Sequence, residues 1–433
     1  MSEITIGLIG LGVLLALFAT GIELAFAMLV IGFLGFAYII SPEAAFNLLA
    51  KDIFDSFESY SLTVVPLFIL MGQLAYNAGI AKRLYDTANK FMGHVPGGLG
   101  IATVAGCTVF GAICGSATAT AATFAAVSVP EMDRFGYSRQ FSTGLIAVAG
   151  TLGIMIPPSV PMIIYGILTQ QSIGKLFVAG IFPGVVIALL FIFLIVARCK
   201  INPLIAPRGE RFGWKARFES LSGVIWPLVI FVIVIGGLLK GFFTPTEGGS
   251  VGTFAILVLS LVKRDLDRKA FILSITQSLL TATMVLFLLA GSTVLGHFLA
   301  VSKIPLVVSG WVVNLPFPPS VIMALICFIY LIGGSFIDDL AFMVLATPIL
   351  YPAVVKLNYD PIWFGTMIIL TVMIGIVIPP VAVCVFVVKN VTKTSFSDIY
   401  RGVYPFLLGL IGCAILLFLF PQLALFLPNI LYK

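Results

Sequence analysis

Residues 111–161 read GAICGSATATAATFAAVSVPEMDRFGYSRQFSTGLIAVAGTLGIMIPPSVP. Two irregular features interrupt apolar sequence there. One is the hydroxyl-rich run Gly115-Ser116-Ala117-Thr118-Ala119-Thr120; the other is Gly150-Thr151-Leu152-Gly153, followed by Pro157-Pro158. Backbone polar groups inside a bilayer find no water, so broken helices persist there only when buried in protein or lining a cavity. The stretch is therefore a binding-site candidate on physical grounds alone.

The pattern occurs twice. Gly153-Ile154-Met155-Ile156-Pro157-Pro158 returns 222 positions later as Gly375-Ile376-Val377-Ile378-Pro379-Pro380. Gly115-Ser116 returns as Gly334-Ser335, and Phe68–Gly72 as Phe287–Gly291, both 219 positions on; Thr20-Gly21-Ile22-Glu23 returns 224 on as Thr244-Pro245-Thr246-Glu247. Four correspondences in one order argue for two halves built alike, and paired Gly/Pro interruptions mark the binding site of a secondary transporter.

Composition sets the class. The chain is 60% hydrophobic and only 10% charged, with a mean hydropathy of +1.17, where soluble domains carry about 25% charged residues. Apolar runs recur along the whole length, which predicts an all-α polytopic membrane protein. The start, MSEITIGLIGLG, lacks a basic region and a cleavage site and reads as a first span. Spans are expected at 4–19, 22–40, 61–79, 141–170 and 176–197, then 223–240, 243–262, 273–299, 362–388 and 403–428; 4–40 is alternatively one long tilted helix.

A different object separates the third and fourth spans of each half. Residues 96–114 and 119–130 flank the Gly115–Thr118 tip, and 319–333 and 338–351 flank Gly334-Ser335. A twelve-residue second limb, about 18 Å of helix, is too short to cross, so each pair reads as a re-entrant hairpin. The expected organisation is a first inverted repeat over 1–197, with scaffold helices 1–80, an interfacial arm 81–95, hairpin 96–130, broken helix 141–170 and helix 176–197. A cytoplasmic linker follows at 198–222. The second repeat, 223–433, has scaffold helices 223–300, arm 301–318, hairpin 319–352, broken helix 362–388 and helix 403–428.

About five crossings per half, an odd number, invert the second half. With both termini outside, 18 of the 24 basic residues fall in cytoplasmic segments around Lys82–Lys90, Arg134–Arg139, Arg198–Arg217, Lys263–Lys269 and Lys389–Arg401. That bias supports the orientation. Basic residues confined to membrane loops are no nucleic-acid signal. The six cysteines form no CxxC pair and read as small buried residues.

Ionisable groups at membrane depth are functional candidates because desolvating them is costly. Asp338 and Asp339, at the second tip, are the clearest; a capping role for one of them is equally open. Glu23 and Glu247 follow a Thr by three positions, a capping-box spacing. At the first tip Ser116, Thr118 and Thr120 offer hydroxyls, although small residues also permit close packing. Pro157 and Pro379 donate no N–H, freeing carbonyls near Thr151–Gly153 and Met373–Gly375 for an oxygen cage suited to sodium. Gly153 and Gly375 are expected to need backbone angles closed to other residues. His94 and His297 lie in no metal-ligand spacing, and no hydrolase motif is present, which disfavours an enzyme. A channel, or a membrane enzyme acting on a lipid or prenyl acid, remains the alternative.

GSATATAATF (115–124), GTLGIMIPPSVPMIIYG (150–166), FTPTEGGSVG (243–252) and GSFIDDLAF (334–342) resemble the large membrane subunit of the tripartite ATP-independent periplasmic (TRAP) transporters. The third motif departs at Gly248-Gly249, where alanines are common. The resemblance implies a sodium-driven elevator that takes up a carboxylate, sialic acid first and C4-dicarboxylates second, across the bacterial inner membrane. It also implies a separate small four-helix membrane subunit and a soluble periplasmic substrate-binding protein. It places substrate contacts at Ser116, Thr118, Thr120, Pro158, Ser159, Asp338 and Asp339. Sodium falls at Gly115, Ser116, Thr151, Gly153 and Pro157, and at Gly334, Ser335, Asp338, Gly375, Val377 and Pro379.

Overall fold

The computed structural model describes residues 2–432, and all regular structure among them is helical. Six helices are long and apolar enough to cross a membrane, or nine if each sharply bent pair counts as one span. The exterior carries large exposed apolar side chains such as Phe193, Phe254, Leu189 and Leu408, a surface made for lipid.

The chain opens with two helices, Glu3–Ala19 and Leu24–Ile39, not one tilted rod; Gly21, at φ +87°, turns the chain between them. The capping-box expectation holds for one of its two sites. Thr244 and Glu247 close the N-terminus of Pro245–Val262 reciprocally, whereas Glu23 makes no side-chain capping bond. Pro42–Glu58 was not expected as a helix. Ser41 caps it and Pro42 occupies its first turn, but Lys51, Asp52, Asp55 and Glu58 break the apolar run. It bends by 51° into Tyr60–Asn77, and its buried Asp52 pairs with Nε2 of His297 at 3.3 Å. The inner arm, Ile80–Met92, buries Ile80, Leu84 and Tyr85. Arg83 ties it to Asp265 at 2.6 Å.

One order of elements recurs: arm, hairpin, broken helix, long helix. First come Gly98–Cys114 with Ala117–Arg134, then Arg139–Ala149, Leu152–Met155 and Val160–Thr169, then Ile173–Ile201. Later come the arm Ile304–Val313, the hairpin Pro319–Phe336 with Asp339–Lys356, then Pro361–Gly375 and Val383–Thr392, then Phe396–Leu419. The expected span 403–428 divides at Phe420-Pro421, where Gln422–Leu431 begins a separate helix. Trp214–Leu221, inside the expected linker, is helical and bends by 46° into Ile225–Leu239.

The hairpin limbs correct one inference. All four run 17 or 18 residues, about 26 Å, so shortness does not stop them from crossing. The second limb of the first hairpin continues through Pro130 to Arg134; the apolar run ends before the helix does. Packing fixes each pair: Phe110 meets Phe124 edge-on at 6.0 Å, and Tyr330 meets Phe342 at 5.7 Å. The halves interlock through buried aromatics. The Tyr165 hydroxyl donates across to the Pro361 carbonyl at 2.7 Å, and within the second half Trp363 Nε1 donates to the Leu417 carbonyl at 2.9 Å. All six cysteines are buried and free.

Candidate functional site

At the first tip, Gly115 turns the chain at φ +65°, and a Cβ on it would lie 2.8 Å from the Pro158 carbonyl oxygen. Its own carbonyl accepts the Val160 N–H at 3.4 Å. Ser116 caps the second limb, its Oγ accepting from the Ala119 N–H at 3.4 Å and lying 3.2 Å from the Thr118 hydroxyl. Thr120 donates to the Ser116 carbonyl at 2.7 Å. Against this turn lies Gly153, where a Cβ would meet the Ser116 carbonyl oxygen at 2.5 Å and Thr120 Oγ1 at 2.6 Å.

The second tip repeats the arrangement. A Cβ on Gly375 would lie 2.8 Å from the Gly334 carbonyl carbon and 2.8 Å from the Leu331 oxygen. The Val381 N–H donates to the Ser335 carbonyl at 3.0 Å, the counterpart of the Val160–Gly115 tie. Asp338 caps the second limb, accepting from the Leu340 N–H at 3.2 Å. Neither Gly153 nor Gly375 is among the residues with positive φ. Close approach of two backbones, not unusual angles, is what excludes a side chain at both positions.

Both tips open on one cavity of about 400 Å³, lined by Gly115, Ser116 and Thr118 from the first and Asp338, Asp339 and Leu340 from the second. Thr281, Met284 and Val285 form part of its far wall, near the middle of the 34-residue helix Arg268–Val301. The limbs are thus long enough to cross, and their tips lie level with the middle of Arg268–Val301. A second cavity of about 350 Å³ continues it, sharing Gln73, Cys114, Ala119, Ala122 and Thr281.

The structure therefore brings Gly115, Ser116, Thr118, Asp338 and Asp339 together and places the other expected site residues behind them. Thr120 faces Gly153, and buried Thr151 donates to the Val148 carbonyl at 2.7 Å. Buried Ser159 donates to the Ile154 carbonyl at 2.6 Å. Pro157 and Pro158 are buried beside the first tip. Gly334 and Ser335 pack on Gly375; Val377 is fully buried, and Pro379 is exposed on the other side of the break. Gln73, Tyr76, Gln277 and Thr281 line the paired cavities and were not anticipated. Their only signal was a lone polar residue in an apolar span.

Hydroxyls, carbonyls and carboxylates are hard oxygen donors suited to a small cation. Among the described residues no group of three or more His, Cys, Asp or Glu gathers as a transition-metal site would require. Pro157 has no N–H to give the Gly153 carbonyl one turn back, which leaves that carbonyl without its helical partner. The first tip offers the cavity the hydroxyl oxygens of Ser116 and Thr118, which fit a small hard cation. At the second break the Gly375 and Ile376 carbonyls accept from the Ile378 and Cys384 N–H groups, each at 3.1 Å, so the oxygens offered to the cavity on that side are the carboxylates of Asp338 and Asp339 at the tip, one Asp338 oxygen also accepting from the Leu340 N–H.

A family model described as the tripartite ATP-independent periplasmic transporter, DctM component, matches residues 11–423. The C4-dicarboxylate TRAP transporter large permease protein DctM of Pseudomonas aeruginosa is 34% identical over 394 residues, covering 90% of this chain and 91% of that protein. The sialic acid TRAP transporter large permease protein SiaM of Vibrio cholerae is 32% identical over 419 residues, covering 96% and 97%. The 2,3-diketo-L-gulonate TRAP transporter large permease protein YiaN of Escherichia coli is 33% identical over 417 residues, covering 96% and 97%. These relatives are named as permeases, in line with a transporter and not an enzyme. The solved YdaH transporter of Alcanivorax borkumensis superposes with a TM-score of 0.64 over 88% of each chain at 13% identity, a likeness of fold. The chain belongs to the DctM component family of the tripartite ATP-independent periplasmic transporters.

Proposed function

We propose that this chain carries out sodium-coupled uptake of a carboxylate, with sialic acid the first expectation and a C4-dicarboxylate the second. The single observation that carries this reading is the meeting of two hydroxyl- and carboxylate-bearing hairpin tips at one cavity. The N-terminus of Ala117–Arg134 presents backbone N–H groups and a positive dipole end to the substrate carboxylate. Sodium binds at the oxygens of Ser116, Thr118 and Gly153, and a second ion binds around Asp338. The two halves are inverted repeats. The hairpins and broken helices carry the site past Tyr60–Asn77 and Arg268–Val301 in an elevator motion. A small four-helix membrane subunit and a soluble periplasmic binding protein complete the transporter in the bacterial inner membrane, with both termini periplasmic.

Uptake into proteoliposomes holding the chain, the small subunit and the binding protein tests the whole reading. Accumulation should follow an imposed sodium gradient, with sigmoidal sodium dependence and a Hill coefficient above one. Downhill flux that never exceeds the outside concentration makes it a channel, and hyperbolic dependence removes the second ion. Single cysteines at Ser138 and Asn358 should label from the cytoplasm and the periplasm respectively; labelling from one side removes the inversion.

A further inference from the structure

The hairpin tips make only one side of the paired cavities. The facing wall comes from Tyr60–Asn77 and Arg268–Val301, which supply Gln73, Tyr76, Gln277 and Thr281. Gln277 and Thr281 stand one turn apart on one helix face. The neighbouring polar groups are already satisfied: Asn77 donates to Ser274 Oγ at 2.8 Å, and that hydroxyl donates to the Ala270 carbonyl at 2.8 Å. Among the described residues no protein group engages the side-chain amides of Gln73 and Gln277; both are directed to the cavities.

Both amides are half-buried, line the cavities and are held by no protein partner among the described residues, which leaves them free to hydrogen-bond a ligand there. An amide both donates and accepts, which matches hydroxyl and acylamino groups; a carboxylate accepts only. No Lys, Arg or His lines either cavity, so this wall offers no cation to a second carboxylate. Cavities of about 400 and 350 Å³ are in the range of sites for ligands larger than a four-carbon diacid.

We propose that Gln73 and Gln277 are specificity-determining residues that hydrogen-bond the hydroxyl or acylamino groups of a polyhydroxylated monocarboxylate, while the hairpin tips hold its carboxylate. This rests on the reading of the cavity as the substrate site.

The full chain, reconstituted in nanodiscs at saturating sodium, is titrated calorimetrically with N-acetylneuraminate, D-gluconate and succinate. Direct binding keeps the selectivity of any periplasmic protein out of the measurement. Wild type should bind the two hydroxylated acids more tightly than succinate. Gln73→Leu and Gln277→Leu should each weaken the hydroxylated acids about five- to tenfold, leaving succinate and sodium affinity in place. Gln73→Asn and Gln277→Asn keep the amide but shorten its reach and should shift the same preference less; they decide the matter if a leucine variant loses sodium binding through misfolding. Tighter succinate binding by wild type, equal weakening of all three acids, or an unchanged preference in the variants overturns the inference alone. Binding of none of the three by wild type overturns the substrate-site reading, and this inference with it.

Discussion

At the first break Pro157 and Pro158 are buried, Ser159 caps Val160–Thr169, and its hydroxyl satisfies the Ile154 carbonyl. At the second break Pro379 and Pro380 are exposed, and Val381, 45% exposed, stands where Ser159 does. Val383–Thr392 begins without a side-chain cap, from Ala382 at φ +47°. What the two breaks share is a glycine pressed onto a hairpin tip and an N–H beyond the prolines tied to a tip carbonyl. The difference teaches which parts define the device. Docking of break on tip is common to both, whereas capping chemistry follows from surroundings. The first break lies buried against helices of the other half; at the second, the prolines and Val381 come to the surface.

The largest test of that division is Gly153→Val. Its Cβ would sit 2.5 Å from a backbone oxygen that cannot swing away, so overpacking of about 3 kcal/mol or more is expected. Thermal melting should drop, and sodium-driven uptake should fall close to background. Gly375→Val meets backbone at 2.8 Å and should cost about 1–3 kcal/mol, with a smaller loss of uptake. The reverse ranking, or a native melting temperature in both, would show that the shared contacts are incidental.

Asp338→Asn comes next. Asn is an equally good cap, so melting should barely move, while uptake should fall about tenfold if the carboxylate holds an ion or substrate; unchanged uptake confines Asp338 to capping. Ser159→Ala leaves the Ile154 carbonyl and the helix start unpaired and should lower stability by about 1 kcal/mol. Val381→Ser, at the exposed counterpart, should stay within about 0.5 kcal/mol of wild type. Equal responses at these two positions would erase the distinction between a buried and a surface break.

Much of this was legible in the residues. The tips and breaks announce themselves because Gly, Pro and hydroxyl residues stand out in apolar sequence, and the same order of motifs recurs later in the chain. Helices without a long apolar run did not show: Pro42–Glu58 is interrupted by Lys51, Asp52, Asp55 and Glu58, and Trp214–Leu221 resembles a polar linker. The site was legible as a neighbourhood but not as a surface. Thr120, Thr151 and Ser159 carry the right chemistry, yet their hydroxyls are spent on nearby carbonyls. Gln73 and Gln277 reach the cavities only through tertiary packing. Nothing in local pattern encodes that placement.

The ties between tip and break also set an order of events at the ribosome. The Gly115 carbonyl waits for Val160, and the Ser335 carbonyl for Val381, each about 45 residues further along. At about 5–20 residues per second, each hairpin spends roughly 2–9 s of synthesis with its polar tip unfinished. A nascent first half must therefore hold that tip in water or against the insertion machinery before it can settle, and a chain stalled between residues 135 and 160 should be an early target for membrane quality control.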